Sequence, residues 1–434
     1  MHDVLDPRDL VPDEAEQRAH SGYDAGGLLE DARAAAAASD YPALTLIAAR
    51  LDELPLAADW TYDEPDDEAV LLELAQTAST LPIDQDGLRD RFRGAWLGRA
   101  VGNTMGKPIE GLGRRDVETY LRAGGDWPQT GFVRLVHPHP AGVGPLHPDA
   151  PVSALGTFSD VPRDDDIDWT ILGLHMLEQH GRDLTTDDIA TAWLDRLPFT
   201  QTFTAERAAY RNLIQGRSAT ETATHVNPYR EWIGALIRAD IFGFVHPGDP
   251  AAAAADALVD ARLSHVKNGI YGEMWAAALV AAALATDDAR VALDAALAVV
   301  PAGSRLAEAL RGIAELHTTG VDHTAALDWL DEHLGHYNWV HTINNAAIIA
   351  AGLLWGTSFT DTLAKTIAGG NDTDSNGATA GSVYGALHGS DSIPAALVGT
   401  THSRIRSAVR GFDGITVEEL ADRTHALLHR IGGA

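Results

Sequence analysis

Two segments of this chain carry glycine at every fourth residue. They read GAWLGRAVGNTMG and GATAGSVYGALHG, with glycines at 94, 98, 102 and 106 and at 377, 381, 385 and 389. A glycine inside a helix costs about 1 kcal/mol relative to alanine, so four at strict spacing need a structural reason. The spacing puts them on one helix face, where a neighbouring backbone can approach closely. Because neither segment is long or apolar enough for a membrane pair, they predict close packing inside a helical bundle.

Apolar residues recur at helical spacing along most of the chain after Asp86, and strand-like alternation is rare. The pattern predicts an all-α fold, a compact multi-helix bundle. The predicted helices include 88–105, 167–180, 205–216, 229–242, 250–264, 269–286, 305–318, 323–334, 343–356, 359–368 and 375–388.

The first 84 residues differ from the rest. Two short helical patterns break at Ser39–Pro42 and end at Pro55, and an acidic stretch then leads into another short helix. We interpret residues 1–84 as a small helical N-terminal appendage and residues 85–434 as the main domain. The length of 434 residues suits such a division.

The composition excludes several classes of function. The chain has no cysteine, which rules out disulfides and thiolate chemistry. Its formal net charge is −30, which argues against nucleic acid as a partner. No apolar run reaches the roughly 20 residues of a membrane span, and MWAAALVAAALA at 274–285 reads as a buried core helix. With no signal segment at the N-terminus, we expect a soluble, cytoplasmic protein with no membrane partner.

Two acidic clusters each lie where a loop becomes a helix. They comprise Asp164, Asp165, Asp166 and Asp168, and further along the chain Asp372, Asp374 and Ser375. A helix N-terminus stabilises a carboxylate by about 0.3–1 kcal/mol, which cannot neutralise several of them together. If the clusters meet in space they require hard divalent cations, because oxygen-only ligands suit Mg²⁺, Mn²⁺ or Ca²⁺.

Each cluster is also compatible with a simpler structural role. The first could be a helix cap with a solvated acidic face, since charge runs usually are solvated. The second could be an Asx-type turn before a helix. The stretch DTDSNG also opens like an EF-hand loop, but the twelfth position, which should be acidic, is Val383.

Taken together, the motifs resemble the ADP-ribosylglycohydrolase family, from about Arg89 to Leu428. GAWLGRAVGNTMGKPIEG is similar to the family's opening glycine-rich helix, and LSHVKNGIYGEMWAAALVAAA to its histidine-containing helix entrance. DDDIDWTIL and GGNDTDSNGATAG are similar to the two acidic segments of its metal site. Departures are Asp164 and Ile167 where the family has threonine, and Asn103 where aspartate is common.

The resemblance implies a site for two divalent cations, Mg²⁺ or Mn²⁺. It would also give Glu110 the role of general acid or base, although Glu110 could equally be a surface residue at a helix end. The implied metal ligands are Asp164, Asp165, Asp166, Asp372, Asp374 and Ser375, of which Asp165 and Asp374 are also candidate catalytic residues. The candidate substrate-binding residues are Asp168, His265, Asn268, Tyr271, Gly369 and Gly370.

Several polar residues and glycines outside the acidic clusters have more than one possible role. His265 is equally compatible with a packed histidine at a helix start, and Asn344 and Asn345 are typical helix caps. Gly369 and Gly370 could cradle phosphates. The proline-rich loop that carries His147 matches no zinc pattern and is interpreted as a stiff loop beside the cleft.

The resemblance implies a metal-dependent hydrolase that cleaves the bond between ADP-ribose and an acceptor, most readily in an ADP-ribosylated protein. One alternative keeps the site and replaces the substrate by a small N- or O-ribosyl metabolite. Another is a non-catalytic module that binds an ADP-ribosylated partner or an ADP-ribose-like small molecule. Retention of both acidic segments argues against the last, because a pure binder has no need for a full set of mutually repelling ligands.

Overall fold

The computed structural model describes residues 5–399 and 404–432. Helices make up nearly all regular structure in that part of the chain, as predicted. In chain order they are α1 (Pro7–His20), α2 (Leu28–Ala37), α3 (Tyr41–Asp52), α4 (Glu68–Ala75), α5 (Leu88–Gly106), α6 (Arg114–Ala123), α7 (Ala150–Ser153), α8 (Asp165–His180), α9 (Thr186–Arg196), α10 (Thr204–Ile214), α11 (Asp240–Phe244), α12 (Pro250–Ala261), α13 (Asn268–Ala283), α14 (Ala289–Leu297), α15 (Arg305–Thr318), α16 (His323–Leu334), α17 (Thr342–Trp355), α18 (Phe359–Ile367), α19 (Thr373–His388), α20 (Ala395–Val398) and α21 (Val417–Gly432). Two short strands, β1 (Arg404–Ile405) and β2 (Ile415–Thr416), pair antiparallel.

The glycine helices α5 and α19 pack antiparallel against each other, which confirms the predicted close approach. A Cβ atom added at Gly98 would overlap the carbonyl oxygen of Gly381, and one added at Gly102 would overlap that of Gly377. The reciprocal additions on α19 would overlap carbonyl oxygens of α5. Only glycine permits this contact between two backbones, so the spacing of the glycines fixes the register of the pair.

Helix α13 forms the middle of the hydrophobic core. All sixteen of its residues are buried, and alanine-rich faces of α12 and α14 pack on it. The prediction that 274–285 is a core helix is confirmed. None of the described helices has the length and apolar character needed to cross a membrane.

The prediction of a single helix at 229–242 is wrong. Residues 227–235 form turns, followed by a 3₁₀ helix at Leu236–Arg238 and by α11. The backbone of this segment bonds across to another loop instead: Ile233 N donates to Val340 O at 2.9 Å, and Thr342 N donates to Glu231 O at 3.1 Å. Tertiary contacts have therefore overridden the helical pattern.

The N-terminal extension has a small core of its own and docks on the rest of the chain. Helices α1, α2 and α3 pack around residues such as Ala15, Ala32 and Leu44. Leu10 of α1 does not belong to that core. It packs in a second hydrophobic cluster with Tyr229, Trp232 and Val340. Helix α1 itself was not predicted.

A buried polar network holds the extension in place. Glu231 accepts hydrogen bonds from Gln17 Nε2 at 2.9 Å and Ser21 Oγ at 2.7 Å, both of the extension. Arg305 donates to Glu231 at 2.6 Å and to Glu64 at 2.8 and 2.9 Å. Because both carboxylates and the guanidinium are buried, this interface depends on complete pairing.

Candidate functional site

Three segments converge at one end of the α5–α19 pair. Helix α5 continues through a 3₁₀ helix, Lys107–Ile109, to Glu110, while α8 and α19 both begin here. The antiparallel register places Gly106 against the backbone of Thr373, whose hydroxyl donates to Gly106 O at 2.9 Å. The glycine ladder therefore brings the Glu110 segment beside the start of α19.

The convergence creates two overlapping acidic triads. One consists of Glu110, Asp372 and Asp374, and the other of Asp164, Asp166 and Asp374, each with ligand oxygens within 4.8 Å of one another. Asp374 belongs to both triads. The structure thus brings the two acidic clusters of the sequence together, as the metal hypothesis requires. Two further candidate ligands, Asp165 and Ser375, line the same cleft.

The triads fit a cation. Asp166 Oδ1 and Asp374 Oδ1 are buried, and no hydrogen-bond donor in the described residues reaches either atom. The other oxygen of Asp166 accepts a hydrogen bond from Asn103 Nδ2 at 2.9 Å. Burying an acceptor without a partner costs about 1–3 kcal/mol, more when the group is charged. A bound cation would remove that cost for both oxygens.

Crowding of anions perturbs the carboxyl groups. Burial, followed by the charge of Asp374, raises the pKa of Glu110, Asp166 and Asp372 well above the ordinary range. Burial, followed by Asp164, raises the pKa of Asp165 to about 7. Each group prefers to be neutral because it is buried and because its neighbours are negative, so ionising them all together requires positive charge from elsewhere.

Part of that charge comes from Lys107, which the sequence analysis missed. Its ammonium lies 2.7 Å from Glu110, 2.8 Å from Asp164 and 2.9 Å from Asp374. Although burial alone would raise the pKa of Asp164, the ammonium outweighs it and lowers that pKa to about 2. A signal was available, because the chain has only three lysines and this one lies three residues before Glu110.

The triads lie in a cleft of about 300 Å³. His147 borders it, with Nε2 at 3.4 Å from Glu110 Oε2, which agrees with a loop beside the cleft. The lining of the cleft also includes apolar side chains, namely Phe203, Trp232, Ile233, Trp339 and Val340. A lining that combines apolar side chains with a few polar groups is common in ligand sites.

Asp168 does not line this cleft. It is buried, with Oδ2 accepting from Arg163 Nε at 2.7 Å and Oδ1 accepting from Ser407 Oγ at 2.6 Å. Arg163, by contrast, does line the cleft. Asp168 therefore orients Arg163, and its own role in substrate binding stays a prediction.

The structure places His265, Asn268 and Tyr271 away from the cleft. Asn268 Nδ2 donates to Glu64 and Glu231 at 2.8 Å each, and the Tyr271 hydroxyl donates to Pro65 O at 2.6 Å. His265 is fully buried beside Ser264. Asn268 and Tyr271 thus hold the N-terminal extension, and this arrangement gives the expectation of substrate binding no support.

Gly369 and Gly370 also lie outside the cleft. Gly370, with φ +70°, pairs with Gly113 in a β-bridge, and a Cβ atom there would meet the backbone of Arg114. Gly369 borders a neighbouring depression that shares Trp339 with the cleft. Their role in phosphate binding stays a prediction.

Asn345 connects two segments that border the site and does not cap α17. The cap of α17 is His341, which accepts a hydrogen bond from Ile343 N. Asn345 Nδ2 donates to Trp339 O at 2.8 Å, while its Oδ1 accepts from Asn376 Nδ2 at 2.8 Å. The side chain therefore ties a wall of the cleft to the first turn of α19.

Comparison with known proteins identifies the family of this chain. The sequence model of the ADP-ribosylglycohydrolase family matches residues 84–433. The chain belongs to the ADP-ribosylglycohydrolase family. ADP-ribosylglycohydrolases depend on metal ions and act on substrates that contain ADP-ribose.

A solved structure titled "ADP-ribosylglycohydrolase-related protein complex" is 19% identical to this chain. The match covers 80% of this chain and 99% of that chain, with a TM-score of 0.45. A search of curated proteins found no match.

Proposed function

We propose that this chain hydrolyses the bond between the ribose of ADP-ribose and an acceptor, with an ADP-ribosylated protein as the preferred substrate. The observation that carries the proposal is the pair of acidic triads sharing Asp374 inside an enclosed cleft. Family membership supports the reaction class, since it supplies glycohydrolase chemistry in general.

Mg²⁺ or Mn²⁺ is the cofactor that we propose. The ligands are drawn from the two triads with Asp165 and Ser375, all oxygen donors of the kind these ions prefer. A bound divalent cation supplies Lewis acidity toward ribose hydroxyls. The resemblance predicted two cations, but the ammonium of Lys107 already lies against three of the ligand residues.

The protein side chains account for the remaining chemistry. Hydrolysis adds hydroxide to the anomeric carbon and a proton to the departing acceptor, through a state with positive charge on the ribose. Glu110 lines the cleft and would donate a proton to the departing acceptor. Asp165 also lines the cleft and would accept a proton from the attacking water. The surrounding carboxylates stabilise the developing positive charge.

A small ribosyl metabolite is the second candidate substrate. The cleft of about 300 Å³ is at the lower end of the range for ligand pockets. Trp232 and Trp339, two large side chains, both line it. Such a cleft suits a compact ligand as well as the terminal ribose of a larger one.

The test is release of free ADP-ribose or ribose from a panel of arginine-, serine- and small-molecule-linked substrates. Each substrate is assayed with Mg²⁺, with Mn²⁺ and with a chelator, using the wild type, Asp374→Asn and the exposed control Asp183→Asn. Chelator-sensitive release that only Asp374→Asn abolishes supports the proposal and identifies the acceptor. Release that survives both the chelator and Asp374→Asn contradicts it. Tight ADP-ribose binding without release from any substrate would instead favour a binding module.

A further inference from the structure

Lys107 occupies the most acidic point of the candidate metal site. Its ammonium makes three carboxylate contacts of 2.7–2.9 Å, which matches the three donors that an ammonium offers. Glu110 comes from one triad, Asp164 from the other, and Asp374 is common to both. The ammonium therefore touches two members of each triad and lies between them.

The chain holds the lysine in this position. Lys107 follows Gly106, which is pressed against the backbone of Thr373, and it begins the 3₁₀ helix that leads to Glu110. About one tenth of its side chain is exposed. A side chain anchored this way at its base and enclosed along its length has little room to withdraw.

The contacts of Lys107 divide the ligand oxygens into two groups. Both oxygens of Asp164 already have a partner, because Oδ1 accepts from Asp166 N at 3.1 Å and Oδ2 pairs with Lys107. The buried oxygens left without a donor are Asp166 Oδ1 and Asp374 Oδ1, and both residues belong to the same triad. These two oxygens are therefore available to a single cation.

The negative charge of the carboxylates favours binding of one divalent cation, but the ammonium of Lys107 disfavours a second. Six carboxylates gather here against one lysine in their midst, namely Glu110, Asp164, Asp165, Asp166, Asp372 and Asp374. When all six are ionised, the ammonium of Lys107 and the guanidinium of Arg163, which is paired with Asp168, leave most of that charge uncompensated. A divalent ion bound to the oxygens that Lys107 already contacts would, however, lie within a few ångström of the ammonium and be repelled by it.

We propose that Lys107 takes the place of one of the two divalent cations, so that this chain binds one divalent cation beside a built-in ammonium. The proposal rests on the metal dependence in the proposed function and not on which linkage is cleaved. It follows that one positive charge of the site is permanent and independent of free metal.

The test counts Mn²⁺ ions bound to the metal-free full-length chain by calorimetry, with electron paramagnetic resonance to detect coupled pairs. The wild type is expected to bind one ion and to show an uncoupled Mn²⁺ signal. Lys107→Met is expected to bind two ions and to show a spin-coupled pair. Lys107→Arg, which keeps the charge, and Lys365→Met, which removes a lysine paired with Asp361, are expected to bind one.

Several results would overturn the proposal. If the wild type binds any number of Mn²⁺ ions other than one, the proposal is wrong. This result does not depend on whether any variant folds. One ion in both the wild type and a folded Lys107→Met also does so, and Lys107→Gln gives the same comparison if the methionine variant fails to fold. Two ions in the wild type leave the proposed hydrolase intact. No ion in any protein would remove the metal dependence of the proposed function as well.

Discussion

At the scale of single residues, the proposed function gives Glu110 a role in proton transfer that can be tested apart from metal binding. Its carboxylate contacts Lys107 and borders the cleft, whereas Asp166 and Asp374 have the oxygens that lack a donor. Removing the acid function of Glu110 should therefore affect turnover more than metal affinity.

For Glu110→Gln we expect kcat to fall by about 10²–10⁴, the usual contribution of a general acid or base. The rise in melting temperature on adding Mn²⁺ should remain, because the free ligand oxygens are intact. Glu53→Gln, an exposed change in the extension, is the matched control. Unchanged kcat in Glu110→Gln would show that another residue transfers the proton.

The sequence predicted the acidic residues of the site more reliably than the roles of the other polar residues. Asp164, Asp166, Asp372 and Asp374 stand in short local motifs, so their convergence could be predicted. Asn268 and Tyr271 were interpreted from a local motif too, but their partners, Glu64 and Pro65, lie about 200 residues away. No local pattern reveals that contact, and the same holds for the position of Lys107.

Among the helices, α5 and α19 carry the site. Their glycine contact sets the register that places Glu110 beside Asp374. This element could be predicted because the requirement for glycine is visible in the sequence. The irregular segment at 227–235 could not, since its backbone partners are in a distant loop.

Gly98→Ala should weaken the pairing of α5 with α19. The added methyl group overlaps the backbone of Gly381, and overpacking of this kind costs about 1–3 kcal/mol. Urea unfolding should show a lower midpoint. Gly131→Ala is the control, because no atom lies within 4 Å of a Cβ there. Equal stability of the two variants would mean that the helices are not in close contact.

Arg305→Met should loosen the N-terminal extension. It leaves Glu64 and Glu231 buried without their guanidinium, and breaking a buried pair costs about 3–5 kcal/mol. Limited proteolysis should then cut within the first 84 residues. Arg122→Met, which breaks an exposed pair with Glu118, should cost at most about 1 kcal/mol. Protection of the extension in Arg305→Met would contradict this view of the interface.

At the scale of the whole molecule, the periodicity of apolar residues was enough to predict the all-α class. It did not predict how the N-terminal extension packs on the rest of the chain. The division at residue 84 remains a prediction about folding units. In the structure, the extension packs behind Trp232 and Val340, which line the cleft. Stability of the extension and shape of the cleft are therefore linked.

Stability of the whole chain should fall below neutral pH, in part because of His20 at this interface. Burial, then the charges of His336 and Arg305, lowers the pKa of His20 to about 4, although Glu231 acts in the opposite direction. Between pH 6.5 and 4 the unfolded chain binds a proton that the folded chain does not, so stability decreases as pH falls through this range.

Comparing the wild type with His20→Phe isolates this contribution. The substitution should remove on the order of 2 kcal/mol of the loss between pH 7 and pH 4. Leu46→Phe, at an exposed position of the extension, removes no titratable group and should leave the pH dependence unchanged. The measurement is the free energy of unfolding in urea at each pH. Parallel curves for all three proteins would refute the role of His20.

A crystal structure of the wild type with Mn²⁺ and ADP-ribose tests the central claim most directly. The account predicts an anomalous peak in contact with Asp166 and Asp374, with the terminal ribose in the same cleft beside Glu110. Ribose bound in another cavity, or Mn²⁺ bound away from Asp374, would contradict it.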